Sequence, residues 1–285
     1  MNPQTHRAEN LYRPTPRTWS RRAKRMLGRY YYSALRYLRW MFGPERWAHI
    51  QDPTPLPALL FAHATPIYRP LPRVEMRLQQ NKATNLRIAA QRIEGLILEP
   101  GQTFSFWRRV GRPSRRKGYL PGLALSEGRV SQSTGGGLCQ MGNLLHWMAL
   151  HSPLTVAERW RHSYDAFPDI RRSVPFGSGA TLAYNYVDLQ LRNDSEQRIQ
   201  LRVWTDAEYL HGEIRADCDT GLHYEVYERD HQIRMEPWGG YSRHNLLCRR
   251  IRDARSGALL ADEPLVENHA LLMYQPFLTE ISDAQ

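Results

Sequence analysis

A cysteine stands where a run of three glycines meets an apolar stretch, in Ser133–Leu154, STGGGLCQMGNLLHWMALHSPL. Gly135, Gly136 and Gly137 can adopt positive φ and let another backbone or a ligand approach closely. Apolar residues at helical spacing begin there, so we predict that Cys139 lies at a helix N-terminus. The unpaired N–H groups and the dipole at that end lower the pKa of a thiol and can hold an oxyanion. The sequence therefore predicts that Cys139 is a nucleophile.

A cysteine nucleophile needs a base, and the first three histidines after Cys139 are His146, His151 and His162. His146 and His151 lie on the same predicted helix as Cys139, about 10 and 18 Å along its axis, which is too far for direct proton transfer. His162 lies in ERWRHSYDAF, on the strand predicted after the helix and 23 residues downstream of Cys139. That separation is long enough for a helix and a return, so we predict His162 as the base.

Two aspartates could orient the histidine. Asp165 follows His162 closely, and Asp188 lies in YNYVDLQLRN. If that segment is a strand, Val187, Leu189 and Leu191 form its core-facing stripe. Asp188 then points the other way, toward a surface or a cleft, and is the predicted third group.

Less specific explanations of the same residues remain open. A lone cysteine is commonly a small buried apolar residue, and three glycines can simply form a loop. The junction could also bind a carboxylate or phosphate without catalysis. Cys218 and Cys248 lie in strand-like surroundings and are predicted to be core residues. Three cysteines without CxxC spacing favour neither a disulfide framework nor a zinc site, and no metal or cofactor is predicted.

The positive charge is concentrated at the N-terminus. The formal net charge is +11, and residues 1–50 carry eleven Lys or Arg against two Glu. Residues 19–42 read as a basic amphipathic helix. Its apolar face carries Leu27, Tyr31, Ala34, Leu35, Leu38 and Phe42, opposite Arg22, Arg25, Arg29 and Arg36. This pattern is typical of a helix on an anionic membrane surface. Two alternatives are that the apolar face packs on the domain, or that the RRAKR run binds nucleic acid, for which no recognition fold is visible.

The location follows from the same segment. Residues 26–42 are interrupted by Arg29, Arg36 and Arg39, so they are not a predicted membrane span. No secretory signal pattern is visible. The sequence predicts a cytoplasmic protein, peripheral on the inner membrane face.

Composition and patterning predict one globular domain with extensions. Apolar residues make up 41% of the chain, enough for a core. Helical periodicity appears in NKATNLRIAAQRIEGLIL and after Cys139, and alternating strands follow, with ATLAYNYVDLQLR and QRIQLRVWT read as a hairpin through residues 193–195. The predicted class is α+β, with helices of the first half packed on a mainly antiparallel sheet region. The predicted divisions are an arm (1–50), a Pro-rich connector (51–77), the domain (78–275) and a tail (276–285).

Several of these stretches together resemble the VanW family, named from an accessory protein of vancomycin-resistance gene clusters. They are NLRIAAQRIEGLILEPGQTFSFWRRVG, GGGLCQMGNLLHWMAL, ERWRHS and YNYVDLQLRND, within a similarity over residues 78–275. The chain looks like the short form of the family, without appended peptidoglycan-binding modules. Some large extracellular members are reported to act as L,D-transpeptidases of peptidoglycan through the cysteine of the glycine signature.

The resemblance implies roles for particular residues. It places the nucleophile at Cys139 and the histidine at His162, with Gly135, Gly136, Gly137 and Gln140 framing the substrate site. The implied function is transpeptidase-like or amidase-like acyl transfer on peptidoglycan peptides or a lipid-linked precursor. The sequence departs from the family at Gly179, where many members have an aspartate.

Overall fold

The computed structural model describes residues 19–68, 75–126, 129–161, 163–165 and 174–276. The chain divides into two compact units after Pro44. The first contains one described helix, and the second contains the others. The helices are α1 (Trp19–Phe42), α2 (Met76–Ile93), α3 (Phe106–Val110) and α4 (Cys139–Leu150), with a 3₁₀ turn at Arg115–Lys117.

Fourteen strands belong to the described part of the second unit. They are β1 (Arg46–Trp47), β2 (Ala58–Pro66), β3 (Leu96–Leu98), β4 (Gln102–Ser105), β5 (Pro121–Ser126), β6 (Arg129–Thr134), β7 (Leu154–Glu158), β8 (Tyr164–Asp165), β9 (Gln190–Asn193), β10 (Ile199–Thr205), β11 (Tyr209–Ala216), β12 (Leu222–Met235), β13 (Tyr241–Asp253) and β14 (Leu259–Leu272).

The strands form four sheets, in which most neighbours are antiparallel. Three sheets have four strands, in the orders β1-β4-β9-β7, β2-β11-β10-β3 and β12-β13-β14-β8, and β5 pairs with β6. Parallel pairs occur between β1 and β4 and between β14 and β8. The predicted α+β class is confirmed.

Helix α1 forms with the predicted bounds and presents its apolar face to solvent. Leu27, Leu35 and Phe42 are among its exposed side chains. Tyr37 and Trp40 pack edge to face within the helix, with ring centroids 5.3 Å apart. None of the helices in the described part of the chain is long and apolar enough to cross a membrane.

Two helices supply much of the core. The predicted apolar stripe of α2 is confirmed, because Leu86, Ala89 and Ile93 are fully buried. Helix α4 buries Met141, Leu145 and other side chains and packs against β2, β7 and β11. The apolar pattern that follows the glycines therefore anchors α4 on a sheet, and this anchoring fixes the position of Cys139.

The Pro-rich stretch contains more regular structure than an extended connector. Strand β2 lies within it and pairs with β11. The loop before β2 is fastened by the side chain of buried Gln200, which donates to Asp52 O at 2.8 Å and Thr54 O at 3.0 Å and accepts from Leu56 N at 2.9 Å. These contacts hold the loop before β2 against β10 within the second compact unit. Of the predicted tail, residues 277–285 lie outside the described residues.

The predicted hairpin over residues 180–205 is wrong. Only Gln190–Asn193 of its first half is a strand, and this strand pairs with β4 and β7, whereas β10 pairs with β3 and β11. Asn193 explains the change of sheet, because its side chain donates to Leu98 O and Gln197 O at 2.8 Å each and accepts from Ser195 N at 3.0 Å. The turn at Asn193 thus connects two sheets.

Candidate active site

Cys139 is the first residue of α4, as predicted, and it is half-buried. Leu138 precedes the helix in a helical conformation, with φ −63° and ψ −20°, and supplies no side-chain cap. Gly135 and Gly137 have φ of +79° and +96°, a region that L side chains rarely adopt. The three glycines therefore turn the chain sharply into α4.

The space beside each glycine is filled by the protein's own chain. A Cβ at Gly136 would lie 2.1 Å from Gly122 O, and one at Gly137 would lie 2.2 Å from Lys82 Cγ. A Cβ at Gly135 would lie 2.5 Å from Pro113 Cβ. The glycines are thus required by close packing within the fold, and this packing leaves the ligand cradle predicted at these residues without support.

Buried Asn85 on α2 holds the glycine loop against the start of β5. Its Nδ2 donates to Gly136 O at 2.9 Å and to Leu120 O at 3.0 Å, and its Oδ1 accepts from Leu120 N at 2.8 Å. Because the bond from Asn85 to Gly136 O lies out of water, it contributes more than a solvent-exposed one would. Helix α2 therefore helps to set the direction in which the chain enters α4.

The thiol of Cys139 is covered in this structure. Its Sγ lies 3.8 Å from Leu182 O, to which the thiol donates. Burial raises the pKa of the Cys139 thiol, and the opposing influences of the backbone of Leu182 and of the residue's own backbone do not overcome it. The expectation that the helix start lowers this pKa is therefore wrong for the resting state, in which the thiol is neutral.

The first turn of α4 uses several of its own donors. The N–H groups of Gln140 and Met141 donate to Gly137 O and Leu138 O at 3.1 and 3.0 Å. The Gln140 side chain donates to Thr65 Oγ1 and Pro66 O, both at 2.9 Å, at the end of β2. Gln140, predicted from the family resemblance to frame a substrate, here links α4 to β2.

Residues 180–187 lie across the first turns of α4. Ala180 N donates to Asn143 Oδ1 at 2.8 Å, and a Cβ at Gly142 would lie 2.9 Å from Leu182 Cδ1. Within this covering segment, Thr181 Oγ1 and both side-chain amide atoms of fully buried Asn185 are out of water and have no hydrogen-bond partner in the described part of the chain. Each such group costs about 1–3 kcal/mol. The segment over Cys139 thus carries unused hydrogen-bonding capacity.

Arg159 holds the beginning of the covering segment. Its Nε and Nη2 donate to Gly179 O at 2.9 and 2.7 Å, and Nη2 also donates to Gly177 O. Burial lowers the pKa of Arg159 to about 10, so the guanidinium remains charged at neutral pH. At Gly179, a Cβ would lie 2.8 Å from Asn143 Oδ1.

Asp188 is fully buried, and the prediction that it faces a surface or a cleft is wrong. Its Oδ1 accepts from Trp107 N at 3.1 Å and Leu189 N at 3.0 Å, and its Oδ2 accepts from Ser105 Oγ at 2.6 Å and Gln190 Nε2 at 3.3 Å. The alternation argument failed because residue 188 precedes β9 and is not part of a strand. Its assignment as the third catalytic group stays a prediction, without support from this geometry.

The structure describes His146 but not His162. His162, the predicted base, lies outside the described residues. His146 is buried on α4, with Nδ1 2.7 Å from Ser178 O. Because a carbonyl only accepts, Nδ1 carries the hydrogen of this bond. Burial lowers the pKa of His146 to about 3, so the ring is neutral at physiological pH.

Other predicted residues fall as follows. Cys248 is buried, as predicted, whereas Cys218 is exposed in the turn after β11 and its predicted core position is wrong. Asp165 is buried and lies 3.7 Å from Arg243 Nη1. Among the residues that the structure describes, no group of three His, Cys, Asp or Glu side chains is placed to hold a metal ion.

Asn185 and Thr181 were not predicted from the sequence. The sequence contains no periodic signal for them, because their burial depends on how residues 180–187 pack on α4. The only available signal was the presence of Asn and Thr in a stretch that the sequence predicts to be an apolar strand.

Comparison with known proteins gives one family. The family model described as VanW like protein matches residues 81–215. The chain is 37% identical over 186 residues to the "Vancomycin B-type resistance protein VanW" of Enterococcus faecalis, covering 65% of this chain and 68% of that protein. It is 29% identical over 127 residues to the "Uncharacterized protein YoaR" of Bacillus subtilis, covering 44% of this chain and 39% of the relative. No solved structure matches.

Proposed function

Because the chain belongs to the VanW family of vancomycin-resistance-associated proteins, we propose that it transfers acyl groups of peptidoglycan-type peptides through Cys139. One observation supports this proposal most. A half-buried thiol begins α4 beneath a segment in which Thr181 Oγ1 and both side-chain amide atoms of buried Asn185 have no hydrogen-bond partner among the described residues. Buried polar groups are normally paired, and unpaired ones require an explanation such as a role in binding or catalysis.

The proposed reaction begins with attack of the Cys139 sulfur on an amide or ester carbonyl carbon. Electrons of the carbonyl double bond move to its oxygen, and the backbone N–H of Cys139 at the start of α4 stabilises that charge. The C–N or C–O bond then breaks, and the leaving group takes a proton from the base. The resulting thioester is attacked by an acceptor amine, which completes transpeptidation, or by water, which completes hydrolysis, and the thiol is regenerated.

Because the pKa of the Cys139 thiol is raised, the thiol must lose its proton before the sulfur can attack a substrate. In the resting state burial keeps the thiol neutral, and the thiol donates to Leu182 O. In the proposal, substrate enters beneath the covering segment, replaces the contact with Leu182, and His162 takes the thiol proton. Asn185 and Thr181 then bond to the peptide groups of the substrate.

The non-catalytic alternative, an anion cradle formed by the glycines, has less support. Its ligand would occupy space beside Gly135, Gly136 and Gly137, and that space is taken by Pro113, Gly122 and Lys82. Packing within the fold accounts for the glycines without a ligand. The acyl-transfer proposal does not depend on an open cradle.

A second proposal concerns α1, which we infer binds an anionic membrane surface and holds the chain on the cytoplasmic face. It is supported by the exposure of Leu27, Tyr31, Leu35, Leu38 and Phe42 on one face of a basic helix. A basic residue near such a surface contributes about 1 kcal/mol. Leu27→Gln with Leu35→Gln should reduce cosedimentation with anionic vesicles more than tenfold. Equal binding of the native chain to neutral and anionic vesicles would contradict this role.

Turnover of synthetic peptidoglycan stem peptides, followed by mass spectrometry of the products, tests the enzymatic proposal. Cys139→Ser should abolish product formation, because a hydroxyl is a far poorer attacker than a thiolate. Cys218→Ser is the matched control, since Cys218 is exposed and should be dispensable. His162→Ala should slow turnover by about 100-fold or more. Equal product from the native chain and Cys139→Ser would refute the proposal.

A further inference from the structure

A basic cleft lies between the paired β1 and β4 and helix α3. Its volume is about 260 Å³, and its lining includes His49, Thr103, Ser105, Arg108 and Arg109. Ala48 N donates to Thr103 O at 3.0 Å, extending the β1–β4 contact, and Ser105 Oγ accepts from Arg108 N at 3.3 Å at the start of α3. We propose that this cleft binds a phosphate-type oxyanion between the guanidinium groups of Arg108 and Arg109.

Neighbouring groups orient the two guanidinium groups. Arg109 Nε donates to Arg92 O at 2.7 Å, and its Nη2 donates to Gln51 Oε1. These two bonds fix the plane of the Arg109 guanidinium group. Arg108 lies over the ring of Trp47, with Cζ 5.5 Å from the ring centroid. A stacked guanidinium keeps its N–H edge for a ligand. Both side chains are therefore placed before a ligand arrives.

The charge of this pair is not balanced by nearby acids. Within the part of the chain that the structure describes, neither Arg108 nor Arg109 has a carboxylate within 4 Å. Removal from water lowers the pKa of both, and the charge of Arg92 lowers the pKa of Arg109 further. Holding two cations partly out of water in the lining of one cleft is unfavourable unless an anion binds there. A doubly charged anion would balance the pair.

Size and geometry favour phosphate over a larger ligand. Pockets for drug-sized molecules measure roughly 300–1,000 Å³, and the volume of the cleft, about 260 Å³, is below this range. A tetrahedral phosphate presents several acceptor oxygens, which suit the N–H edge of Arg108 together with Nη1 of Arg109 better than a single carboxylate does. The cleft shares no residue with the contacts described around Cys139, so the inference does not rest on the proposed acyl transfer.

Isothermal titration calorimetry of the full-length chain with inorganic phosphate and pyrophosphate, at constant ionic strength, tests the site. Arg108→Gln should weaken binding about 10- to 100-fold, because a hydrogen bond to a charged group contributes about 1.5–3 kcal/mol. Arg116→Gln is the matched control. It removes the same charge from an exposed position outside the cleft and should change affinity less than twofold. Arg108→Lys keeps the charge but loses the planar guanidinium group, so its affinity for phosphate should lie between those of Arg108→Gln and Arg116→Gln.

The phosphate could be free or part of a lipid headgroup, and a flotation arm separates these sources. Neutral vesicles with and without phosphatidic acid are mixed with Arg108→Gln and Arg116→Gln. If Arg108→Gln floats less than Arg116→Gln does with the vesicles that contain phosphatidic acid, the site binds a lipid phosphate. Equal flotation, with pyrophosphate binding lost only in Arg108→Gln, assigns it to a free phosphate. Absence of phosphate and pyrophosphate binding by the native chain, or equal loss of affinity in both variants, would overturn the proposal.

Discussion

Replacement of Asp188 tests whether its carboxylate is a structural centre. Trp107 N, Leu189 N, Ser105 Oγ and Gln190 Nε2 all donate to it, and it is fully buried. In Asp188→Asn, an NH₂ group replaces one acceptor oxygen and faces the donors from Ser105 and Gln190. The negative charge that strengthens the remaining bonds is also lost.

The expected loss can be estimated from these contacts. A hydrogen bond to a charged group contributes about 1.5–3 kcal/mol and a neutral one about 0.5–1.5, so weakening four bonds and mismatching one or two should cost roughly 2–4 kcal/mol. For a domain of this size each kcal/mol lowers the Tm by about 2–4 °C, which predicts a decrease of roughly 5–15 °C. Asp188→Ala, which leaves all four donors unpaired, should cost more.

Thermal unfolding followed by circular dichroism provides the assay. Asp230→Asn is the control, because Asp230 forms only an exposed pair with Arg229, and its replacement should change stability by less than about 0.5 kcal/mol. If Asp188→Asn melts with the native chain yet loses peptide turnover, Asp188 acts in catalysis and the structural explanation fails.

Three further predictions follow from burial and packing. Gly136→Ala should lower the free energy of unfolding by about 2–3 kcal/mol or more, because the new Cβ would meet the backbone of Gly122. The control Gly239→Ala, with φ +85° and open space around it, should lower it by only about 1–2 kcal/mol. Equal Tm values for the two variants would contradict this prediction. The pKa of His146 is about 3 when folded and near 6.5 when unfolded, so stability present above pH 6.5 is lost as pH falls. Between pH 7.5 and 5 the free energy of unfolding, measured by urea titration, should decrease by about 2 kcal/mol less in His146→Asn than in the native chain. An equal decrease in both would contradict burial of a neutral His146 ring. Iodoacetamide at pH 7.5 should modify Cys218 before Cys139, because Cys218 is exposed and burial raises the pKa of the Cys139 thiol. If peptide mapping shows the reverse order, the Cys139 thiol is activated and this prediction is wrong.

Local patterns in the sequence predict the helices well. The apolar periods that define α1, α2 and α4 involve residues a few positions apart, so each can be read without knowing the fold. The position of Cys139 at the start of α4 follows from the same reading, because the glycines mark where the apolar period begins. The part of the site that depends on one helix could therefore be predicted.

The remainder of the site depends on contacts distant in sequence. Residues 180–187 alternate like a strand, but Ala180 bonds to Asn143 and Thr181 N donates to Trp160 O at 2.7 Å. Local alternation contains no information on those partners, and the burial of Asn185 and Asp188 was missed for this reason. The same holds for Gly136, whose fit against Gly122 is visible only in the folded chain.

Capture of a covalent intermediate tests the central claim most directly. The native chain is mixed with a stem peptide, quenched in acid within the first turnover, and its intact mass and digest are measured. We predict a mass increase equal to the acyl fragment, located on Cys139 as a thioester, present in Cys218→Ser and absent in Cys139→Ser. Peptide turnover without acylation of Cys139, or acylation that persists in Cys139→Ser at another residue, would contradict a nucleophilic role for this cysteine.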